Sequence, residues 1–423
     1  MMVPVKVAFI LFVLARIDTV LSAETARYDH YRVYQAIPNT QEQLKTLDQL
    51  RSSSDSFIFL EAGTKVGDEF NIVVAPHKLA DFTETMESAE ICVKVLETDL
   101  QLPIDEERNR MQSKRTKGVF DWTEYQELDD IHKWLDKLAT EYPQAKVIEA
   151  GRSYENRTLK GLKVSYKPGN PGIFLEGGIH AREWISPATV TYILNQLLTS
   201  QDPSVRDIAV NYDWYAVPSV NPDGYVYSHK RDRLWRKTRT RFSGGCYGAD
   251  PNRNWNFQWA RQGASHRCTS DAYAGPRPFS EIETRSLSEY IESLSGKIHA
   301  YIAFHSYSQL LLFPYGHTSD HAPNHDDLSA IANATVKSLE KRYGTKYDYG
   351  NTYDAIYPVS GASAEWAYGV QNIKVAYTYE LRPTRSFFGF VLPPAQIIPT
   401  GEETLDSLVT LLAESSKRGY FNL

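Results

Sequence analysis

His180 and Glu183 are the two residues whose types and spacing first suggest chemistry. They lie in the segment from Gly177 to Thr189, three positions apart, so an imidazole and a carboxylate can converge on one point. Both groups are good Zn²⁺ ligands, and a catalytic zinc site needs three protein ligands and an open position for water. The same spacing is also typical of a surface hydrogen bond, so the metal interpretation requires a third ligand.

His305 is the predicted third ligand because of its place at the end of a strand. The wholly apolar segment Ala300 to Phe304 is a predicted buried strand that ends in His305, and the apolar segment Gly172 to Glu176 leads into the His180 motif in the same way. Open α/β sheets usually bind ligands outside the carboxyl ends of their strands. The sequence therefore predicts that the three side chains meet at that edge.

Glu380 follows another predicted strand, Val375 to Tyr379. A carboxylate at the end of a buried strand is costly unless it is paired or used. Beside a zinc-bound water it would serve as a general base. The alternative is a structural salt bridge with Arg382.

Arg231 to Arg241 is the densest basic stretch of the chain. A nucleic-acid or heparin patch is one interpretation, but the net charge is −6 and a single short run is not a binding face. Arg253 lies in a separate turn-rich loop, and a guanidinium fork is suited to holding a carboxylate by two hydrogen bonds. We therefore expect no nucleic-acid partner.

The N-terminus indicates secretion. Met1 to Ala23 combines one positive charge, a short apolar run and small residues, which is the pattern of a secretory signal peptide rather than of an N-terminal core helix. No later segment approaches the ~18 uninterrupted apolar residues of a membrane span. We expect a secreted, extracellular protein with no membrane partner.

The length of 423 residues suggests two or three units. A β-α-β-β-α-β order over residues 24 to about 100 predicts a split βαβ sandwich. Residues 104–118 form a charged connector with exposed trypsin-type targets, and a removable pro-segment is favoured over a plain linker or solvated helix. The predicted domains are a signal peptide at 1–23, a pro-segment at 24–117 and a catalytic domain at 118–423.

The second unit is predicted to be a layered α/β domain because strands and helices alternate from Asp121 onward. The predicted helices span 124–141 and 402–415, and the predicted strands span 146–148, 159–166, 173–176, 214–217, 300–304 and 374–380.

Three cysteines fit an oxidising compartment if two of them pair. Cys246 and Cys268 bracket a Gly- and Asn-rich stretch and are the natural couple, although sequence alone does not fix the connectivity. Cys92 lies in an apolar, strand-like run and is predicted to be a buried free thiol. Asn156 and Asn333 begin triplets of the glycosylation form.

Seven dispersed motifs occur together, and they carry a resemblance to a known family. They are His180 to Glu183, Trp235 to Arg239, Asn252 to Trp255, His305 to Tyr307, Ile356 and Tyr357, Glu380 to Arg382, and Ile397 to Thr400. With them the chain closely resembles, over nearly its whole length, a secreted zinc metallocarboxypeptidase of the pancreatic A/B type. The resemblance implies a mixed, twisted central sheet flanked by helices, preceded by a small α+β open-sandwich pro-domain.

The resemblance also implies roles for individual residues. One Zn²⁺ would be held by His180, Glu183 and His305, with Glu380 as general base and Arg236 stabilising the oxyanion. The free C-terminal carboxylate of a peptide or protein substrate would be held by Asn252, Arg253 and Tyr357. The approach subsites would include Arg182, Arg233, Ser306, Tyr307 and Phe390. Cys246 and Cys268 match the family's disulfide.

The first domain resembles an inhibitory pro-segment of this family. A trypsin-like protease would release it by cleavage near Arg115 or Lys117.

The resemblance assigns Ala364 to the base of the specificity pocket, where Asp would attract Lys or Arg and Ile would favour apolar residues. Ala carries no charge, so a buried cation would lack a partner there. We expect the A-type preference for aliphatic and aromatic C-terminal residues. Because neighbouring Glu365 is acidic, B-type preference for Lys or Arg is the alternative. A second alternative, a relative that binds C-terminal peptides without cleaving them, predicts the loss of a zinc ligand or of Glu380, and all four are present.

Overall fold

The computed structural model describes residues 25–53, 56–61, 63, 65–115, 120–384 and 389–421. The predicted signal peptide, residues 1–23, lies outside the described residues, and so does Lys117 at the predicted processing site. Within the described ranges, no helix combines the length and the apolar character needed to cross a bilayer.

The N-terminal unit has the predicted β-α-β-β-α-β order. Its four strands form an antiparallel sheet in the order β2-β3-β1-β4, and its own apolar core includes Leu47, Phe70 and Phe82. The elements are β1 (Arg32–Ala36), α1 (Gln41–Ser53), β2 (Phe57–Glu61), β3 (Phe70–Val74), α2 (Leu79–Ser88) and β4 (Val93–Glu97).

The charged connector is helical, because most of it belongs to α3 (Gln101–Arg115). Ile104 and Glu107 are nevertheless buried, since this face of the helix lies against the second unit. The prediction for Cys92 was wrong, because its thiol is exposed. Ile91 points into the core just before the edge strand β4, so its neighbour Cys92 points outward.

The second unit is an α/β domain in which strands and helices alternate as predicted. Its strands are β5 (Ala145–Arg152), β6 (Thr158–Val164), β7 (Gly172–Glu176), β8 (Asp213–Val217), β9 (Ile298–Ser306), β10 (Leu310–Phe313), β11 (Asp348–Asn351) and β12 (Val375–Leu381). Its helices are α4 (Leu128–Glu141), α5 (Ile185–Thr199), α6 (Pro203–Asn211), α7 (Pro222–Lys230), α8 (Ile282–Ser293), α9 (His325–Tyr343), α10 (Thr352–Ala355), α11 (Ser363–Gly369) and α12 (Ile397–Lys417).

The eight strands form one mixed sheet in the order β11-β10-β12-β9-β7-β8-β6-β5. The central strands β12, β9, β7 and β8 run parallel; β10, β6 and β5 form antiparallel pairs outside them, and β11 pairs parallel with β10 at one edge. The chain leaves β7 for β8 on one side, whereas β9 pairs with β7 on the other. The carboxyl ends of β7 and β9 therefore flank a topological switch point, where open sheets form ligand crevices.

The sheet is buried between helices, and side chains on its strands are hydrogen-bonded to those helices. Tyr377 and Tyr379 of β12 are fully buried, and their hydroxyls bond Leu328 O in α9 and Ser407 Oγ in α12. Buried tyrosines usually find such a partner. These two hydrogen bonds hold β12, the strand that carries Glu380, in a fixed position against α9 and α12.

Cys246 and Cys268 form the predicted disulfide. The two cysteines are 22 positions apart, and the loop between them contains Asn252 and Arg253. The disulfide therefore constrains the segment that supplies these two candidate substrate contacts.

We expect the double variant C246A/C268A to lose stability, because the unfolded chain regains the freedom of the open loop. A loop of this length corresponds to about 3 kcal/mol in the chain-entropy treatment. Denaturant unfolding followed by tryptophan fluorescence measures the loss. C92S is the matched control and should shift stability by less than about 0.5 kcal/mol, since its thiol is exposed. An unchanged midpoint in the double variant would contradict the expectation.

Candidate metal centre and adjoining cleft

The His180 motif is placed by a tight turn after β7. Gly177 and Gly178 follow the strand, and Gly178 has φ of +59° with backbone from Pro218 close by. A Cβ at Gly178 would lie 2.9 Å from Pro218 O, so a larger residue would be both strained and crowded. The Gly178 N–H donates to Ser186 Oγ at 2.9 Å, which ties the turn to the first turn of α5.

Three buried side chains converge just beyond this turn. His180 Nδ1 is 2.8 Å from Glu183 Oε1, His305 Nδ1 is 3.1 Å from His180 Nδ1, and His305 Nδ1 is 3.3 Å from Glu183 Oε2. One ligand atom from each residue lies within 4.8 Å of the others. Among the residues that the structure describes, this is the one group of three such side chains arranged to hold a metal ion.

The donor set and its spacing fit Zn²⁺. A tetrahedral ion with bonds near 2.0–2.1 Å places neighbouring ligand atoms about 3.3 Å apart, close to the three separations observed. Two imidazole nitrogens that face each other across 3.1 Å need a proton or a cation between them. Two imidazoles and one carboxylate form a set of three protein ligands, as in catalytic zinc sites with an open position.

Two further carboxylates lie beside the imidazoles. Asp250 Oδ1 is within hydrogen-bonding distance of His180 Nε2, at 3.0 Å, whereas Glu176 Oε1 is 4.0 Å from His305 Nε2 and makes no direct hydrogen bond to it. A metal-bound histidine generally donates its second ring N–H to such a partner, which fixes its tautomer and ring plane. The Ser306 N–H also donates to Glu183 Oε2 at 3.1 Å, so the Glu183 carboxylate is held by the end of β9.

The field at the site favours positive charge. Burial lowers the pKa of His305, but the Glu183 carboxylate outweighs burial and raises that pKa to about 9. Burial also opposes the charge of Glu183 and Asp250, yet nearby positive groups hold both pKa values below their ordinary range. These groups are His180 and His305 for Glu183, and Arg236, His180 and Arg253 for Asp250. Carboxylates that stay ionised in a buried place make a strong site for a cation.

Glu380 is placed beside the centre by strand register. In the parallel pair of β12 and β9, Glu380 is the partner of His305. Aligned residues on neighbouring strands point to the same face of a sheet. The carboxylate of Glu380 therefore belongs to the same edge of the sheet as the predicted metal ligands, and it contributes to the field that raises the pKa of His305.

A cavity of about 680 Å³ opens over the centre. Of the residues predicted for the site, all except Arg233 and the two disulfide cysteines line it. They are His180, Arg182, Glu183, Arg236, Asn252, Arg253, His305, Ser306, Tyr307, Tyr357, Ala364, Glu380 and Phe390. The cavity thus brings together residues from position 180 to position 390 of the sequence, and most of them lie at strand ends or in the loops that follow.

Hydrogen-bond donors line one side of the cleft, around Asp250. They belong to Arg236, Arg253 and Asn252. Arg236 Nη2 donates to Asp250 Oδ2 at 2.9 Å, and Arg253 is held by bonds from Nε to Gly263 O and from Nη1 to Asn252 O, both 2.9 Å. The Ser363 N–H donates to Asn252 Oδ1 at 2.9 Å, which leaves the amide N–H donors of Asn252 for a ligand. Fixed guanidinium and amide donors are suited to a carboxylate.

The entrance of the cleft carries the other predicted contacts. Phe390 stacks edge-on against Tyr307 with ring centroids 5.1 Å apart, and the guanidinium of Arg182 lies 4.3 Å from the Phe390 ring centre. Arg182 is further held by Asp271 at 3.1 Å.

Arg233 lies beside the cleft and not in its lining. It is buried, its guanidinium lies 3.6 Å from the Trp184 ring centre, and it donates to Arg182 O and Phe390 O. Its Nε also donates to Glu107 Oε2 of α3 at 2.5 Å. Arg233 therefore joins two cleft residues to the N-terminal unit.

The N-terminal unit covers the cleft. Arg51, Phe57, Ile58, Phe59 and Leu60 line the cavity from that side. A shared apolar cluster joins the two units and contains Tyr28, Val33, Val73, Leu100, Ile104, Leu234 and Val391. Hydrogen bonds from Asn71 Nδ2 to Tyr307 Oη, 3.3 Å, and from Tyr28 Oη to Asp232 Oδ1, 2.6 Å, complete the contact.

Sequence reasoning missed three residues that support the site: Asp250, Glu176 and Glu107. Asp250 precedes Pro251 and Asn252 and has the composition of a turn. Glu176 ends a buried strand, as Glu380 does, and that shared position was the available signal. Nothing in the charged connector distinguishes Glu107 from its acidic neighbours.

Comparison with known proteins agrees with this geometry. A family model described as "Zinc carboxypeptidase" matches residues 131–407, and one described as "Carboxypeptidase activation peptide" matches residues 34–107. The chain is 62% identical over 412 residues to "Zinc carboxypeptidase A 1" of Anopheles gambiae, covering 97% of this chain and 95% of that protein. It is 50% identical over 293 residues to "Carboxypeptidase B" of Astacus astacus, covering 68% and 96%.

A solved structure, "thrombin activatable fibrinolysis inhibitor (TAFI)", superposes with a TM-score of 0.85 at 28% identity. The match covers 94% of this chain and 100% of that one, so both units have their counterparts there.

We expect D250N to weaken metal binding by about 10- to 100-fold, because the amide does not orient His180 as the carboxylate does. Zinc retained after dialysis against graded chelator concentrations measures the effect. D213N is the matched control, since Asp213 is also buried but pairs with Ser165 and Lys163 far from the centre. Equal zinc retention in D250N and wild type would show that Asp250 does not support the metal.

Proposed function

Because this chain belongs to the zinc carboxypeptidase family and carries that family's activation peptide, we propose that it is a secreted zymogen whose activated form releases apolar residues from peptide C-termini. It is a metallocarboxypeptidase that uses Zn²⁺ and is held inactive by its N-terminal unit. The observation that carries the residue assignment is the register of β9 and β12, which sets Glu380 beside His305 at the rim of the cavity.

In the proposed mechanism, His180, Glu183 and His305 hold the ion. When bound, Zn²⁺ supplies a Lewis acid that polarises a carbonyl and lowers the pKa of water. Glu380 accepts a proton from the attacking water and later delivers it to the leaving amine. The Glu380 carboxylate is half-buried at the end of β12, within the cavity lining, where a bound peptide would reach it.

Arg236 stabilises the negative charge that develops on the scissile carbonyl oxygen. Its guanidinium is fixed by Asp250, so the donor is oriented before the reaction begins. Preorganised donors of this kind act strongly in a site that excludes water. Asn252, Arg253 and Tyr357 bind the free carboxylate of the substrate, which restricts cleavage to the last peptide bond.

Preference for apolar C-terminal residues is supported by Ala364, which brings no charge to the cavity wall. The cavity also contains Leu312, Phe313, Ile356 and Thr378. The alternative B-type preference is favoured by one observation, the presence of Glu365 in the same lining. Hydrolysis of matched peptides ending in Phe, Leu or Arg distinguishes the two, and fastest release of Arg would overturn the A-type assignment.

Secretion is supported by the disulfide and by the activation peptide, since disulfides persist in oxidising compartments. We propose a trypsin-like protease as the activator because the end of α3 and the residues after it contain Lys114, Arg115 and Lys117.

We expect E380Q to lose turnover by about 100-fold or more while it retains zinc, because the ligands survive and the base does not. Release of Phe from a peptide C-terminus gives kcat, and metal analysis gives the zinc content. E402Q is the matched control, since Glu402 contacts Tyr343 on an exposed helix surface. Turnover in E380Q equal to that of wild type would remove Glu380 from the mechanism.

We expect the purified full chain to stay nearly inactive until limited trypsin treatment, because the N-terminal unit lines the cleft. The variant K114Q/R115Q/K117Q should resist activation, whereas K45Q/K94Q, altered at exposed lysines elsewhere in the same unit, should be activated as wild type is. Activity of the chelated enzyme serves as the blank. Full activity before cleavage, or normal activation of the triple variant, would contradict the proposed activation site.

A further inference from the structure

The wall of the proposed specificity pocket contains an acidic residue, Glu365, although the pocket is proposed to bind apolar side chains. Ala364 and Glu365 are consecutive in α11, and both line the cavity together with Leu312, Phe313 and Thr378. The short side chain of Ala364 adds little bulk to this part of the wall. A carboxylate so close to the pocket would ordinarily attract a cationic side chain.

Both oxygens of Glu365 are bonded to the loop that follows β10. The Gly316 N–H donates to Oε1 at 2.8 Å, and His317 Nδ1 is 3.2 Å from Oε2. Neither Gly316 nor His317 belongs to the cavity lining, so these bonds run behind the wall. The side chains of Glu365 and His317 are only 5% and 12% exposed.

The imidazole of His317 is held in place by its neighbours. Its ring contacts Phe257 and Tyr315, with ring centroids 5.3 Å and 4.8 Å apart. Because Oε2 is a carboxylate oxygen, Nδ1 is the donor of the pair. A ring packed between two aromatic side chains does not swing away when a substrate enters, so the bond persists in the complex.

A cationic C-terminal side chain would lose its water in this pocket without gaining a direct partner. A buried charge that finds no hydrogen-bonded counter-ion is strongly unfavourable. Burial raises the pKa of Glu365, and the hydrogen bonds from His317 and Gly316 oppose that rise. The pocket can therefore contain an acid in its wall and still reject Lys and Arg.

We propose that His317 is a specificity-determining positioning residue, whose hydrogen bond keeps the carboxylate of Glu365 turned toward the loop behind the pocket wall and so preserves selectivity for apolar C-terminal side chains. The proposal rests on the exopeptidase function and the apolar preference proposed above. Without the His317 donor, Glu365 Oε2 becomes available to the ammonium or guanidinium group of a substrate. His317 touches no substrate atom and acts only through Glu365.

Two substitutions separate the hydrogen bond from the packing of the ring. H317F keeps an aromatic ring between Phe257 and Tyr315 but removes the donor. H317N places an amide N–H near the position of Nδ1 but removes the ring. The double variant H317F/E365Q removes the acid as well, and H317A replaces H317F as the donor-free variant if H317F does not fold.

The experiment measures kcat and KM of the trypsin-activated, zinc-loaded enzymes on peptides that differ only in a C-terminal Phe, Leu, Lys or Arg. In H317F we expect the ratio of kcat/KM for Arg over Phe to rise by about tenfold or more, mainly through KM for Arg, because a buried polar group gains a partner. H317N should keep the wild-type ratio, and H317F/E365Q should lose the gain.

Two results would overturn the proposal. One is an unchanged Arg:Phe ratio in a donor-free variant that still hydrolyses the Phe peptide. The other is an equal rise in H317F and H317N, which would assign the effect to lost ring packing. Failure of the function proposed above is visible separately, since the wild-type enzyme would then release no C-terminal Phe, or would release Arg faster than Phe.

Discussion

One buried carboxylate, that of Asp250, joins the three parts of the candidate site. It accepts from His180 Nε2, from Arg236 and from the Asn252 N–H, and it lies 4.0 Å from Arg253. A buried charge is stable only when it is paired and hydrogen-bonded, and Asp250 is both. Asp250 therefore fixes the relative positions of the metal ligand His180, the proposed oxyanion donor Arg236 and the proposed carboxylate-binding residues. Displacement of this single side chain would therefore disturb metal binding, charge stabilisation and substrate orientation together.

The centre itself was predictable because its residues follow strands that are visible in the sequence. The apolar segments before His180, His305 and Glu380 are long enough to identify as buried strands, and parallel strands bring their carboxyl ends to one edge. Asp250 and Glu176 were not recognised, since their roles come from contacts across 70 or more positions of sequence. The strand-end position of Glu176 was a signal, but local pattern does not reveal which distant residues such a carboxylate contacts, and Asp before Pro and Asn has the composition of a turn.

The same limit explains what was missed in the fold. Strands β10 and β11 have four residues each, and β11 contains Tyr and Gly in place of an apolar run. The edge strand β11 is therefore defined by its pairing with β10 more than by its composition, and β10, although apolar, is shorter than most strands. In the N-terminal unit the element order was predictable from alternating patterns. How that unit lies on the cleft was not, because the apolar cluster between the units combines residues from both.

The contact between Glu107 and Arg233 is a buried ion pair that would be broken if the two units separated. Breaking a buried ion pair is usually costly, because the remaining partner is left charged and unpaired. Here Arg233 keeps two carbonyl acceptors, Arg182 O and Phe390 O, and the face of Trp184. Glu107, in contrast, would leave with α3 and enter solvent. While the chain is intact, the connector holds the N-terminal unit at a high effective concentration over the cleft. If the connector were cut, that advantage would be lost, and the second unit would retain partners for the Arg233 guanidinium.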